Sequence, residues 1–147
     1  MTLVVRRVVE FNATPSEVWT AMTDPKITKH WVMGLEVKAD WNSGSSIIWK
    51  GIFDWKEIIL KGQVLRIEPK KILQISDRGL ETGFELIDDN CTRITHELSE
   101  KSEGTVLNVT EDRFNGDKGR FKGAESFWPK VLPGLKSIVE YNSSGKH

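Results

Sequence analysis

The sequence predicts an α+β domain: a curved antiparallel sheet of seven strands, two short helices inserted after the first strand, and a long C-terminal helix. Three observations carry that prediction. Val4 to Gly44 (VVRRVVEFNATPSEVWTAMTDPKITKHWVMGLEVKADWNSG) orders a strand, two short helices punctuated by Thr-Pro and Asp-Pro, and a strand running into a Gly turn. Further strand-like segments follow, separated by turn residues rather than by helices. The chain then ends in its longest helical pattern, Ala124 to Tyr141. A strand that delivers two short helices to a long sheet leaves a wedge-shaped space, which a terminal helix can close around a ligand.

Each element has a local reason. Leu3 to Phe11 is rich in Val and reads as the first strand. Thr14, Pro15 and Glu17 are an N-cap, a first-turn proline and a capping-box acid, and Val18, Trp19 and Met22 form the apolar stripe behind them. Asp24-Pro25 ends that helix and starts another, which finishes near His30 and Trp31. Strands are expected at Leu35 to Asp40, Ser45 to Lys50, Lys56 to Glu68 and Ile72 to Asp77, with turns at Asn42-Ser43-Gly44 and Pro69-Lys70. Gly62 inside the long fourth strand predicts a bulge that bends the sheet. Cys91 to Ser99 and Thr105 to Glu111 form the last hairpin, with Ile94, His96 and Leu98 on one face of its first strand. Asn115 to Gly123 (NGDKGRFKG) reads as a mobile polar loop. In the final helix Ala124, Trp128, Val131, Leu132, Leu135, Ile138 and Val139 share a stripe. Pro129 is harmless if the helix begins near Glu125, whereas Pro133 predicts a bend or a later start. Residues Asn142 to His147 read as a disordered tail, leaving one domain over residues 1–141.

Composition narrows the function classes. Lys plus Arg and Asp plus Glu each number 21 in 147 residues, so no net field attracts nucleic acid or an anionic membrane. Arg6 and Arg7 interrupt the N-terminal apolar run, which speaks against a signal peptide or a membrane span. The lone Cys91 excludes an internal disulfide and fits a reducing cytoplasm. The three His are far apart and Cys91 lacks a companion, so no metal site and no cofactor are expected. No Ser lies in a G-x-S-x-G elbow, and the glycines at 116, 119 and 123 do not match a phosphate loop. Asp88-Asp89 and Glu111-Asp112 sit at turns or strand ends, where solvated acids are the ordinary outcome. Six Trp and six Phe against one Tyr are unusual, and suit either a well-filled core or an apolar pocket.

At residue level the chain resembles the activator-of-heat-shock-ATPase homologue (AHSA-type) family of the START-like, or SRPBCC, superfamily. The resemblance is carried by NATPSEVWTAMTDPKITKHW (Asn12 to Trp31), Asn42-Ser43-Gly44, GQVLRIEPKKIL (Gly62 to Leu73), THELSEKSEGTVLNVTEDRF (Thr95 to Phe114) and FWPKVLPGLKSIVE (Phe127 to Glu140). It implies the helix-grip fold, a curved sheet wrapped around one long C-terminal helix. Members of that superfamily bind lipids, sterols, polyketides or hormones between helix and sheet, and some catalyse cyclisation or hydrolysis there. The chaperone activator that names the family carries an additional N-terminal domain. Pro129, Pro133 and the acidic segment Glu81 to Asn90 (ETGFELIDDN) depart from the family's pattern.

The expected site is therefore a cavity under the last helix. Its candidate ligand-binding residues are Trp31, Trp49, His96, Trp128, Leu132 and Leu135, with Phe53, Trp55 and Phe121 at its rim. No catalytic residue is assigned. The expected function is binding of a small, largely apolar molecule of lipid, polyketide or flavonoid type. Two other classes stay open: a cyclase or hydrolase using His96 or a carboxylate, and a co-chaperone-like module with a chaperone partner, the least favoured of the three. Homodimerisation through a sheet edge is left undecided.

Overall fold

Strand β1 (Val5–Phe11) buries Val5 and Phe11 and exposes Arg6, Val8 and Glu10, the alternation that a sheet with one covered face requires. The computed structural model to which it belongs describes residues 2–80 and 91–145. Helix α1 (Pro15–Thr23) starts in the expected capping box: Glu17 N–H donates to Thr14 Oγ1 at 3.2 Å, and Thr14 N–H donates to Glu17 Oε1 at 3.1 Å. Asp24 ends α1 and caps α2 (Pro25–Trp31), its carboxylate accepting from Lys26 N–H at 2.9 Å.

The remaining strands are β2 (Glu36–Ala39), β3 (Ser46–Phe53), β4 (Lys56–Glu68), β5 (Ile72–Leu80), β6 (Thr92–Lys101) and β7 (Gly104–Asp112). They form a seven-stranded antiparallel sheet in the order β1-β7-β6-β5-β4-β3-β2. Its short edge strand β2 is tied to α2 by Thr28, whose fully buried hydroxyl accepts from Val37 N–H at 3.1 Å and donates to the Leu35 carbonyl at 3.0 Å. The register shifts along β4 at Leu60/Gly62 and again at Val64/Arg66, as the bulge expected at Gly62 requires. A Cβ on Gly62 would stand 1.9 Å from the Ser76 carbonyl oxygen, so the close strand approach depends on glycine there.

Helix α3 (Lys118–Ser143) buries Ala124, Trp128, Val131, Leu132, Leu135 and Val139 against the sheet. This is the helix-grip architecture. Three sequence expectations need correction. Lys118 to Gly123 is the first part of α3, not a loop; Asp117 caps it by accepting from Arg120 N–H at 2.9 Å, and this outweighs the glycines. Pro129 and Pro133 therefore lie inside the helix, and Pro133 does not delay its start; both rings lie on its exposed side. Phe53 belongs to β3, because a two-residue turn at Asp54 and Trp55 (φ 53° and 64°) closes the β3–β4 hairpin. Asn142 and Ser143 continue α3. The acidic segment 81–90, with its Asp88-Asp89 pair, and His147 fall outside the described residues.

Candidate functional site

The inward faces of the strands follow from period-two alternation. On β5 this puts Leu73, Ile75 and Asp77 on one side; on β6, Thr92, Ile94, His96 and Leu98; on β7, Thr105, Leu107, Val109 and Glu111. Most of α3 fills the space above them. Near Phe127 and Trp128 it leaves a cavity of about 70 Å³. Buried Val32, Ile75, Ile94, His96 and Trp128 form its floor, and half-buried Trp31, Trp49, Leu60, Asp77 and Phe127 form its mouth.

Of the nine nominated residues, the structure brings four together around this cavity: Trp31, Trp49, His96 and Trp128. Leu132 and Leu135 are buried at 5% and 1% exposure in the packed core, outside the lining. Phe121 lies in α3 edge-on to Phe114, with ring centroids 5.4 Å apart. Phe53 and Trp55 stand at the β3–β4 hairpin tip, Trp55 at 95% exposure.

The indole N–H groups are largely committed within the protein. Trp31 Nε1 donates to the Ala21 carbonyl at 2.9 Å, fixing α2 on α1, and its Cβ lies 3.5 Å from where a Cβ on Gly134 would sit. Trp128 Nε1 donates to Glu111 Oε1 at 3.0 Å. The Trp128 ring meets His96 edge-on at 6.1 Å between centroids. His96 Nδ1 lies 3.0 Å from the carbonyl oxygen of Leu73, its cross-strand neighbour. A carbonyl only accepts, so Nδ1 carries the proton and the imidazole is the Nδ1–H tautomer. Burial pulls its pKa down to about 4, against the smaller opposing pull of the Leu73 hydrogen bond, so the ring is neutral at pH 7.

Glu111 escaped the sequence reading, which treated it as a solvated strand-end acid. It is 5% exposed, and its Oε2 accepts from Thr92 Oγ1 at 2.7 Å while Oε1 accepts from Trp128. Burial raises its pKa, helped by the nearby Asp77 charge and opposed by the Thr92 and Trp128 hydrogen bonds and by Arg120. The signal was available: Glu111 is two residues beyond Val109 on the same face of β7. Its neighbour Asp112 points outward and pairs with Arg93 through two contacts of 2.9 and 2.5 Å. Among the described residues no group of three or more His, Cys, Asp or Glu could hold a metal ion, and no helix is long and apolar enough to cross a membrane.

The family model described as "Activator of Hsp90 ATPase homolog 1-like protein" matches residues 12–140. Among solved structures, ChR145 from Cytophaga hutchinsonii is 31% identical with a TM-score of 0.77, over 98% of both chains. The Aha1 dimer from Colwellia psychrerythraea is 19% identical with a TM-score of 0.75, over 98% of both chains. DynU16, a protein of the dynemicin biosynthetic locus, is 19% identical with a TM-score of 0.76, over 100% of this chain and 51% of that one. At 19% identity the last two show a shared fold. A comparison with curated proteins gives no match.

Proposed function

The chain belongs to the activator of Hsp90 ATPase homologue 1-like family, and from that premise we propose that it binds a small, largely apolar molecule in the cavity between the sheet and α3. The observation that carries this reading is the cavity itself: eight of its ten lining residues are apolar or aromatic, with His96 and Asp77 as the polar exceptions. A hollow of about 70 Å³ is smaller than the roughly 300–1,000 Å³ of drug-sized sites. The guest therefore places its head in the hollow and the rest of its body across Trp31, Trp49 and Phe127 at the mouth. Burial of about 200 Å² of apolar surface yields about 5 kcal/mol before association costs, so a simple guest is expected to bind no more tightly than about 0.2 mM. Lipid-, polyketide- or flavonoid-like molecules have the required apolar surface.

Tryptophan fluorescence tests the reading. Trp55 is exposed and outside the cavity lining and contributes only background, so the titration is best run in a Trp55→Phe protein. A panel of flavonoids, polyketides and lipids is expected to shift or quench the emission of Trp31, Trp49 and Trp128. Leu60→Trp, which fills the mouth from a half-buried position, should abolish the response while the circular dichroism stays native. A Trp55→Phe protein silent to the whole panel ends the proposal.

The enzyme alternative has the titratable lining it needs in His96 and Asp77. Yet a buried imidazole with a pKa of about 4 is a weak base, and the described lining offers no Ser, Thr or Cys nucleophile. The co-chaperone alternative has one observation in its favour, the exposed apolar side chains Met33, beside the end of β3, and Ile52, Phe53 and Trp55 at that strand end and its hairpin turn. It expects stimulation of Hsp90 ATPase activity that Trp55→Ala removes, and absence of any stimulation discards it.

A further inference from the structure

Resting on the cavity-binding reading above, we propose that the cavity selects a neutral guest that donates a hydrogen bond, a hydroxyl or an N–H, to His96 Nε2, in preference to a carbonyl or carboxylate guest.

The argument begins at Leu73. Its carbonyl oxygen holds the proton on Nδ1 of His96, which leaves Nε2 as a bare lone-pair acceptor. The residue is more than nine-tenths buried, and among the described residues the Leu73 contact is the only hydrogen bond its ring makes. Among the described residues no fully enclosed side-chain nitrogen or oxygen lacks a partner, so Nε2 must reach open space, and the open space at His96 is the cavity. An apolar floor of Val32, Ile75 and Ile94 surrounds that acceptor, so a donor placed against it is shielded from competing water.

The donors that a carbonyl guest would need are mostly engaged. Trp31 donates to Ala21 and Trp128 to Glu111. Among the described residues the Trp49 indole has no hydrogen-bond acceptor, and a hydroxyl could accept from it while donating to His96, which an ether or a ketone cannot do. A carboxylate guest fares worse. The lining contains Asp77 and no cationic side chain; Arg120 is engaged with the Asp77 main-chain oxygen. The depressed pKa of His96 keeps the acceptor available throughout the neutral range.

Phenol, anisole and toluene separate these cases, since they share a ring and differ in carrying a donor, an oxygen without a donor, or neither. The full chain is titrated with each while NMR follows the indole signals of Trp31, Trp49 and Trp128 and the 15N shift of His96 Nε2. Phenol is expected to bind about five- to tenfold more tightly than toluene, as one hydrogen bond to a shielded acceptor gives, with anisole no tighter than toluene. The His96 Nε2 resonance should move with phenol alone. His96→Leu should erase the preference for phenol over toluene, whatever it does to the affinity of both; if that variant does not fold, the Nε2 shift in the native protein decides. Toluene or anisole binding as tightly as phenol overturns the donor requirement and leaves cavity binding intact. No indole response to any of the three overturns cavity binding itself.

Discussion

His96 and Glu111 are buried titratable residues on neighbouring strands, and they tilt the stability of this protein with pH in opposite directions. Between pH 6.5 and about 4 the unfolded chain binds a proton on His96 that the folded chain refuses, so stability falls as the pH falls through that window. The shift from 6.5 to about 4 corresponds to about 3 kcal/mol at its full extent. His96→Gln, whose amide can still donate to Leu73, should lose that much less stability between pH 7 and pH 4 in urea titrations. Glu111 behaves in reverse. Its folded pKa is raised, so the folded chain holds a proton that the unfolded chain has released, and its contribution is lost as the pH climbs above 4.5. Glu111→Gln keeps a hydrogen-bonding group facing both Thr92 and Trp128 and removes the ionisation. It should match the native protein near pH 4.5 and melt higher at pH 8; a lower melting temperature at pH 8 would show that the ionised carboxylate is the favoured partner.

Glycines in two elements show how context sets the sign of the same substitution. On β4, Gly62→Ala drives a Cβ into the Ser76 carbonyl at 1.9 Å, backbone that cannot yield without breaking the β4–β5 pairing. It should cost about 2–3 kcal/mol in urea denaturation. In α3, a Cβ on Gly123 meets nothing within 4 Å, and the backbone is already helical. Gly123→Ala should therefore stabilise the protein by up to about 1 kcal/mol, through helix propensity alone. A neutral or destabilising result would place the true start of α3 after Gly123, where composition had suggested it. That composition misled because three glycines and four charged residues in NGDKGRFKG outweigh, on average, one good N-cap; the Asp117 bond to Arg120 N–H makes this instance helical.

At the scale of the whole molecule, the question is how much hollow remains beneath α3. The stripe Trp128, Val131, Leu132, Leu135 and Val139 was legible from its spacing, but spacing does not say which of its members meet side chains and which meet space. Leu132 and Leu135 meet side chains; Trp128 alone of that set borders the cavity. Phe53 and Trp55 looked like rim residues because they fall in a turn between strands, and the tight hairpin instead carries them outward. Glu111 was passed over because it was judged by its place beside Asp112 at a strand end, and Asp77 entered only as the last residue of an expected strand. Alternation along β5 and β7 takes both inward.

Caps, turns and periodicity are local, and local sequence was sufficient for the Thr14 and Asp24 helix starts and the bulge at Gly62, whereas the helix-grip fold followed from the family resemblance and the order of strands within the sheet came only with the tertiary structure. A cavity is a difference between two opposing surfaces. Its size and its lining depend on how far Trp31 on α2, Trp49 on β3 and Trp128 on α3 stand apart once the sheet has curved. Nor could the sequence say which nitrogen of His96 holds the proton. Only folding brings the Leu73 carbonyl from 23 residues away to within 3.0 Å of Nδ1, and that contact leaves the opposite nitrogen as the acceptor.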